Sequence, residues 1–294
     1  DGEKFTAFLV ERAYPGVTPG AEEHKMGLHG SSTTALYLDN VAVPVENVLG
    51  EVGRGHIIAF NVLNIGRLKI GPYAAGASKE VLALSLAYAS ERKAFGKTIS
   101  EFGAIQHKLA EMAVRIFAVE SMYWRVVGQI QQASAIKELA QECSVVKVYA
   151  SEAVGYVVDE GVQIHGGYGY HHDYAVERFY RDARIFRIFE GTNEINRVLI
   201  SRDPEVGTAL ADIAIQTFAL ESAELRAKKL GAHAQDLCAL VRHHAEERIA
   251  SATREIHAAR GLEPPVRSSA APVDTIALRR KIARRLLDAG RYVV

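Results

Sequence analysis

One change of period divides this 294-residue chain. From about Gly53 the apolar residues stop alternating and recur at helical spacing, and Ile57 to Ser90 reads as a single long Ala- and Leu-rich helical stretch. Phe102 to about Gln132 and Ile136 to about His165 continue the pattern, followed by two shorter stretches, Tyr174 to Ile188 and Thr192 to Ser201. Long helices joined by short connections bury their apolar faces on one another, so a helix bundle over residues 49–204 is expected. Thr192 suits an N-cap, its hydroxyl accepting from an unpaired N–H of the first turn. The Asp203-Pro204 step ends the region.

Residues 1–48 read as strands and turns. Phe5, Ala7 and Leu9 alternate in part with polar neighbours, as in a half-buried strand. YPGVTPG, Tyr14 to Gly20, is turn chemistry. In Thr34 to Pro44, Leu36 and Leu38 share a face before a turn at Asp39-Asn40. No complete sheet domain fits here, which points to the end of a β domain begun upstream. Asp1 in place of Met agrees with a missing start. Residues 205–294 read as a helical extension, rich in Ala, Arg and Glu, with a Pro-rich loop at Leu262 to Pro272 before a last basic helix. On a wheel, Ile276, Ile282, Ala283, Leu286 and Leu287 fall on one side and Arg280, Lys281, Arg284 and Arg285 on the other. That pattern fits peripheral contact of 276–291 with an anionic membrane, or a helix packed on the bundle with its cations in water.

Lys plus Arg equals Asp plus Glu, 35 each, so no global field draws in nucleic acid. Cys143 and Cys238 are too few and too far apart for a disulfide framework, which suits a reducing compartment. His107, His165, His171 and His172 lack paired ligand spacing and read as surface or loop residues, without a metal. No secretory signal and no membrane-spanning run is visible.

Three segments carry chemistry: SERKAFGK (Ser90 to Lys97), VQIHGGYGY (Val162 to Tyr170) and RIFEGTNEINR (Arg187 to Arg197). Glu190 has Ile188, Phe189 and Gly191 around it, and a desolvated carboxylate is a better base. The local sequence alone favours the blander reading, a Glu placed before a helix N-terminus by the dipole. Gly166-Gly167 lets main-chain amides approach a phosphate or ring, or simply caps a helix. Arg92 suits bidentate phosphate contact, and a solvated helix end is its competitor. Arg67, in Asn64-Ile65-Gly66-Arg67, is either a neighbour that steadies the ionised base or a plain helix-surface Arg.

In order, spacing and helical context these segments resemble the acyl-CoA dehydrogenases, as do Val43 to Arg67 and Asp173 to Ile185. The resemblance covers about residues 1–205 and is closest to the very-long-chain type, on Phe102, Gly103, Ile105, Gln106 and Lys108-Leu109-Ala110, on FEGTN, and on the extension. It implies a mainly α fold: the family's C-terminal helix bundle, preceded by the last strands of a β domain and followed by the extension. It also implies FAD-dependent α,β-dehydrogenation of a fatty acyl-CoA, with Glu190 as base and an electron-transfer flavoprotein as acceptor. Arg67, Asn64 and Gly191 would lie at the substrate. Arg92, Phe95, Gln106, Gln163, Gly166, Gly167, Thr192 and Glu194 would lie at the FAD, some of them at that of a partner subunit in a homodimer or tetramer. A bacterial cytoplasm or a mitochondrial matrix is the implied compartment. The family's first helical domain and flavin-ring strands are expected to be missing, which keeps two alternatives open: a catalytically inactive helical dimerisation module, and an acyl-CoA oxidase.

Overall fold

The computed structural model describes residues 4–130, 135–263, 265 and 273–294. Three helices form its centre: α1 (Gly55–Glu91), α2 (Gly103–Gln129) and α4 (Ala140–His165). A short α3 (Ala135–Glu138) precedes α4, so the helix expected from Ile136 to His165 is interrupted at Leu139. Small residues let α1 lie close to its neighbours. A Cβ on Gly71 would stand 2.8 Å from the Cβ of Tyr123 in α2, and one on Gly161 of α4 would collide with Val81 of α1. Pro72 lies inside α1 and removes one backbone donor there. Then come α5 (Ala175–Ala183), one 3-10 turn, and α6 (Asn193–Ser201).

The extension folds as α7 (Gly207–Leu230), α8 (Ala232–Ala259) and α9 (Thr275–Ala289). Its Ala219, Ala223, Leu240 and Leu286 belong to the same buried cluster as Leu82, Phe117 and Val157 of the bundle. Bundle and extension therefore share a core.

The structure settles which use α9 makes of its apolar stripe. Ile282, Ala283 and Leu286 are buried in that core, Arg279 pairs with Glu111 of α2, and Lys281 and Arg285 pair with Asp236 of α8. Of the two uses left open by the sequence, the structure shows the packed one for Ile282, Ala283 and Leu286, while Ile276 stays exposed; the acidic partners and the apolar groove lie within the same chain. Among the described residues no helix is long and apolar enough to cross a membrane. Ile282→Val is expected to lower stability by about 0.5–1.5 kcal/mol, measured by urea unfolding; a helix lying free in water would show no loss.

The amino-terminal part holds little sheet. β1 (Ala7–Phe8) pairs antiparallel with β4 (Val48–Leu49), and β2 (Val17–Glu22) with β3 (Thr34–Leu38). Pro19 and Gly20 of the expected turn lie inside β2, where a two-stranded edge tolerates a proline. Leu36 and Leu38 share a face as expected, yet both they and Tyr37 are exposed. This segment is tied to the bundle through α5: Asp182 accepts from the Leu28 N–H at 2.6 Å, and Arg181 donates to the Met26 carbonyl at 3.0 Å. A last hairpin, β5 (Lys93–Ala94) and β6 (Lys97–Thr98), follows α1.

Candidate active site

The chain turns back sharply between the 3-10 turn Arg184–Arg187 and α6. Glu190 (φ 59°) and Gly191 (φ 79°) both adopt left-handed backbone there. For a glutamate this conformation costs on the order of 1–3 kcal/mol and persists only where surrounding structure fixes it. Arg67 Nε, in α1, donates to the Glu190 carbonyl at 3.1 Å. Asn196 Nδ2 donates to the Gly191 and Thr192 carbonyls at 2.8 and 3.0 Å. Lys147 Nζ, in α4, donates to the Gly191 carbonyl at 2.7 Å. The Thr192 hydroxyl caps α6 by accepting from the Ile195 N–H at 3.3 Å. Three side chains from three helices thus hold the carbonyls of the turn, leaving the Glu190 side chain to lie over Gly66 of α1.

That approach is tight. A Cβ on Gly66 would overlap the Glu190 carboxylate. Glu190 Oε2 is buried without a hydrogen-bond partner among the described residues. A half-buried carboxylate with an uncommitted oxygen is equipped to accept a proton from something other than the protein. Arg67 and Asn64 are both buried and bonded to each other, Arg67 Nη1 to Asn64 Oδ1 at 3.0 Å. Burial lowers the Arg67 pKa, and the charge of Glu190 opposes that shift. Both residues also line a cleft of about 840 Å³ with His56, Phe60, Leu199 and Arg202.

Lys147 is the most unusual group here. Its side chain is fully buried, and Nζ also donates to Asn193 Oδ1 at 2.7 Å. Burial lowers its pKa to about 8, with Glu194 the largest opposing influence. Asn193 in turn exchanges hydrogen bonds with Ser151 and donates to Glu152 at 3.2 Å. Exposed Glu194 has its pKa lowered by its own backbone N–H and by the Thr192 hydroxyl.

A second site opens at the other end of α4. Gly166 (φ 61°) ends the helix, and neither Gly166 nor Gly167 has any atom within 4 Å of where a Cβ would stand. These glycines and Arg92 line a cavity of about 400 Å³ with Tyr88, Tyr168 and His171. His165, read from sequence as a surface or loop residue, is instead buried beneath it, stacked on Tyr88 at 4.3 Å and bonded through Nδ1 to the Gly161 carbonyl at 2.7 Å. Its burial follows from its place in the last turn of α4, facing α1. Phe95 sits at the tip of the β5–β6 hairpin with φ 52° and is 96% exposed. Neither it nor exposed Gln163 lines the cavity, and Gln106 spends its amide on the Ser100 carbonyl at 3.1 Å.

Two family models described as "Acyl-CoA dehydrogenase, C-terminal domain" match residues 53–204 and 196–261. The chain belongs to the acyl-CoA dehydrogenase family. A "Probable acyl-CoA dehydrogenase" of Bacillus subtilis is 52% identical over 216 residues, 68% of this chain and 36% of that protein. The mitochondrial very long-chain specific acyl-CoA dehydrogenase of Rattus norvegicus is 46% identical over 199 residues, 68% of this chain and 30% of the enzyme. A crystal structure of an acyl-CoA dehydrogenase complexed with FAD from Bacillus anthracis superposes with a TM-score of 0.92 at 34% identity, over 100% of this chain and 67% of that one. The chain spans about a third of the length of these curated relatives.

Lys147, Asn196 and Gly66 were not singled out from the sequence of this family member. Nothing in VVKVYAS separates a buried lysine from one on a helix surface, because its partners lie 44 and 46 residues away. Gly66→Ala is expected to displace the Glu190 carboxylate and lower turnover of the full-length enzyme by roughly ten- to a hundredfold, read by steady-state kinetics. Unchanged turnover would show that the carboxylate does not work from this position.

Proposed function

We propose that this chain is the catalytic bundle of a longer FAD-dependent acyl-CoA dehydrogenase that oxidises fatty acyl-CoA thioesters at the α,β bond. In this reading, residues 1–48 complete a β domain supplied by upstream sequence, 49–204 form the bundle, and 205–294 extend it. The observation that carries it is Glu190, held in a left-handed turn with a buried, unpartnered carboxylate oxygen.

Glu190 takes the α proton of the thioester onto its carboxylate. The turn's carbonyls are held from behind by Arg67, Lys147 and Asn196, so the carboxylate meets the substrate without reorganising. Arg67 and Asn64 border the cleft through which the thioester approaches Glu190, and Gly191 keeps the backbone beside it free of a side chain.

The residues present fit FAD. Gly166 and Gly167 leave open space along a cavity wall they share with Arg92, whose guanidinium suits a pyrophosphate, and exposed Phe95 offers a flat face for an adenine. When bound, FAD supplies the acceptor for the hydride that leaves the β carbon. Thr192 and Glu194 complete the flavin side of the turn, with Gln106 and Gln163 near the β5–β6 hairpin and α4 end. The exposure of Glu194, Gln163 and Phe95 supports an arrangement in which a second copy brings its cofactor to this surface, as a homodimer or tetramer. An electron-transfer flavoprotein is the proposed electron acceptor.

The test is the full-length protein, purified and assayed with a panel of straight-chain acyl-CoA thioesters. Flavin absorbance and turnover that needs an electron-transfer acceptor are expected. Oxygen consumption without an acceptor would make it an oxidase, and neither flavin nor turnover would overturn the reading.

A further inference from the structure

We propose that Asp212, on α7 of the extension, is a positioning residue for the Glu190 turn. A continuous series of polar contacts joins the two. Arg248 of α8 donates to Asp212 Oδ2 at 2.5 Å, and Arg197 of α6 donates through Nε to Asp212 Oδ1 at 2.8 Å. The guanidinium of Arg197 then forks onto Glu152 of α4, Nη1 to Oε1 at 2.9 Å and Nη2 to Oε2 at 3.3 Å. Glu152 Oε1 accepts from Asn193 Nδ2 at 3.2 Å, and Asn193 Oδ1 accepts from Lys147 Nζ, which also holds the Gly191 carbonyl. The series thus runs from the extension, through α6 and α4, to the peptide that follows Glu190.

Water does little to weaken the inner members of this series, although Glu152 and Arg248 reach it. Asp212 is 4% exposed, Asn193 3% and Lys147 0%. In such surroundings charge-assisted hydrogen bonds are strong and barely screened by salt, and a group that loses its partner moves to find another. Arg197 is held between two carboxylates on different helices, and Glu152 is the more exposed of them, its side chain 41% exposed. Without Asp212, Arg197 and Glu152 are free to move together toward solvent. Asn193 then keeps only Ser151 as an acceptor for its amide, and the group that aims Lys147 at Gly191 is held less firmly. Asp236, by contrast, anchors α9 through Lys281 and Arg285 and has no contact with this series. A purely architectural extension would treat the two aspartates alike.

The catalytic side of this inference rests on the function proposed above; the structural side does not. Amide hydrogen exchange of the purified full-length protein reads the turn directly. Asp212→Asn is expected to speed exchange at Ile195 and Asn196, whose amides donate to the Thr192 hydroxyl and carbonyl, by roughly tenfold, while Asp236→Asn leaves those amides at the wild-type rate. The same Asp212→Asn protein is expected to lose several-fold in kcat with KM and flavin content unchanged. Should Asp212→Asn fail to fold, Arg248→Gln removes the outermost and half-exposed member, with an expected rise of roughly threefold. Wild-type exchange at residues 195 and 196 in the folded variant, or equal acceleration by Asp236→Asn, overturns the proposal. Full activity in Glu190→Gln would overturn the proposed function and leave the exchange result standing.

Discussion

Glu190→Gln in the full-length protein is expected to lose turnover by at least about a hundredfold while keeping its fold and flavin. The two side chains have the same shape, so the left-handed turn, the Arg67 bond to its carbonyl and the packing over Gly66 all survive. What disappears is an oxygen that can take a proton. Oε2 is buried and accepts nothing from the protein, so no internal hydrogen bond is lost when an amide replaces it. The effect should therefore fall on the chemical step: kcat drops, whereas KM for the acyl thioester and the melting temperature stay near wild type. Stopped-flow reduction of the flavin isolates that step. Reduction at the wild-type rate would show that Glu190 is not the base. A collapse in stability alongside the loss would mean that the carboxylate is structural.

Much of this molecule was legible because long periodic elements announce themselves. α1 begins at Gly55 and ends at Glu91, against Ile57 and Ser90 read from the pattern, and Thr192 caps α6 as its residue type requires. The acyl-CoA dehydrogenase family was legible from FEGTN, HGG and ERKAFGK in their order. The supports of the turn were not. Lys147, Asn196 and Asp212 have ordinary neighbours in sequence, and their meaning lies in partners from other helices. α9 shows the same limit from the other side. Ile282, Ala283, Leu286 and Leu287 of its apolar stripe pack on the core while Ile276 stays exposed; a stripe does not name what covers it, and Glu111 and Asp236 made the bundle the better partner. His165 reads as one of several histidines near a loop until α1 packs over it.

The second large effect concerns Lys147. Replacing it by Met keeps length and apolar bulk but removes one of the two donors to the Gly191 carbonyl and one of the two to Asn193 Oδ1, leaving Asn196 and Ser151 in place. Each lost hydrogen bond contributes about 0.5–1.5 kcal/mol, so the hydrogen-bond loss is roughly 1–3 kcal/mol. Against it stands a gain, because the native protein holds Lys147 in a place hostile to its charge. Its folded pKa is about 8, below the 10.5 of a free lysine side chain. Between those values the unfolded chain carries a proton that the folded one has shed, so native stability rises with pH across this window. A shift of that size corresponds to about 3 kcal/mol. Neutral lysine still has two hydrogens for its two acceptors, so deprotonation removes the charge penalty and keeps both bonds. The cost of Lys147→Met is therefore expected to be modest near pH 7 and to grow by about 3 kcal/mol as pH rises from 8 to 10.5. Urea unfolding of both proteins across that range measures it as a difference, in which the other titrating groups cancel. Parallel stability curves would mean that Lys147 stays charged in the folded protein, and that its grip on the Glu190 turn is ionic at every pH.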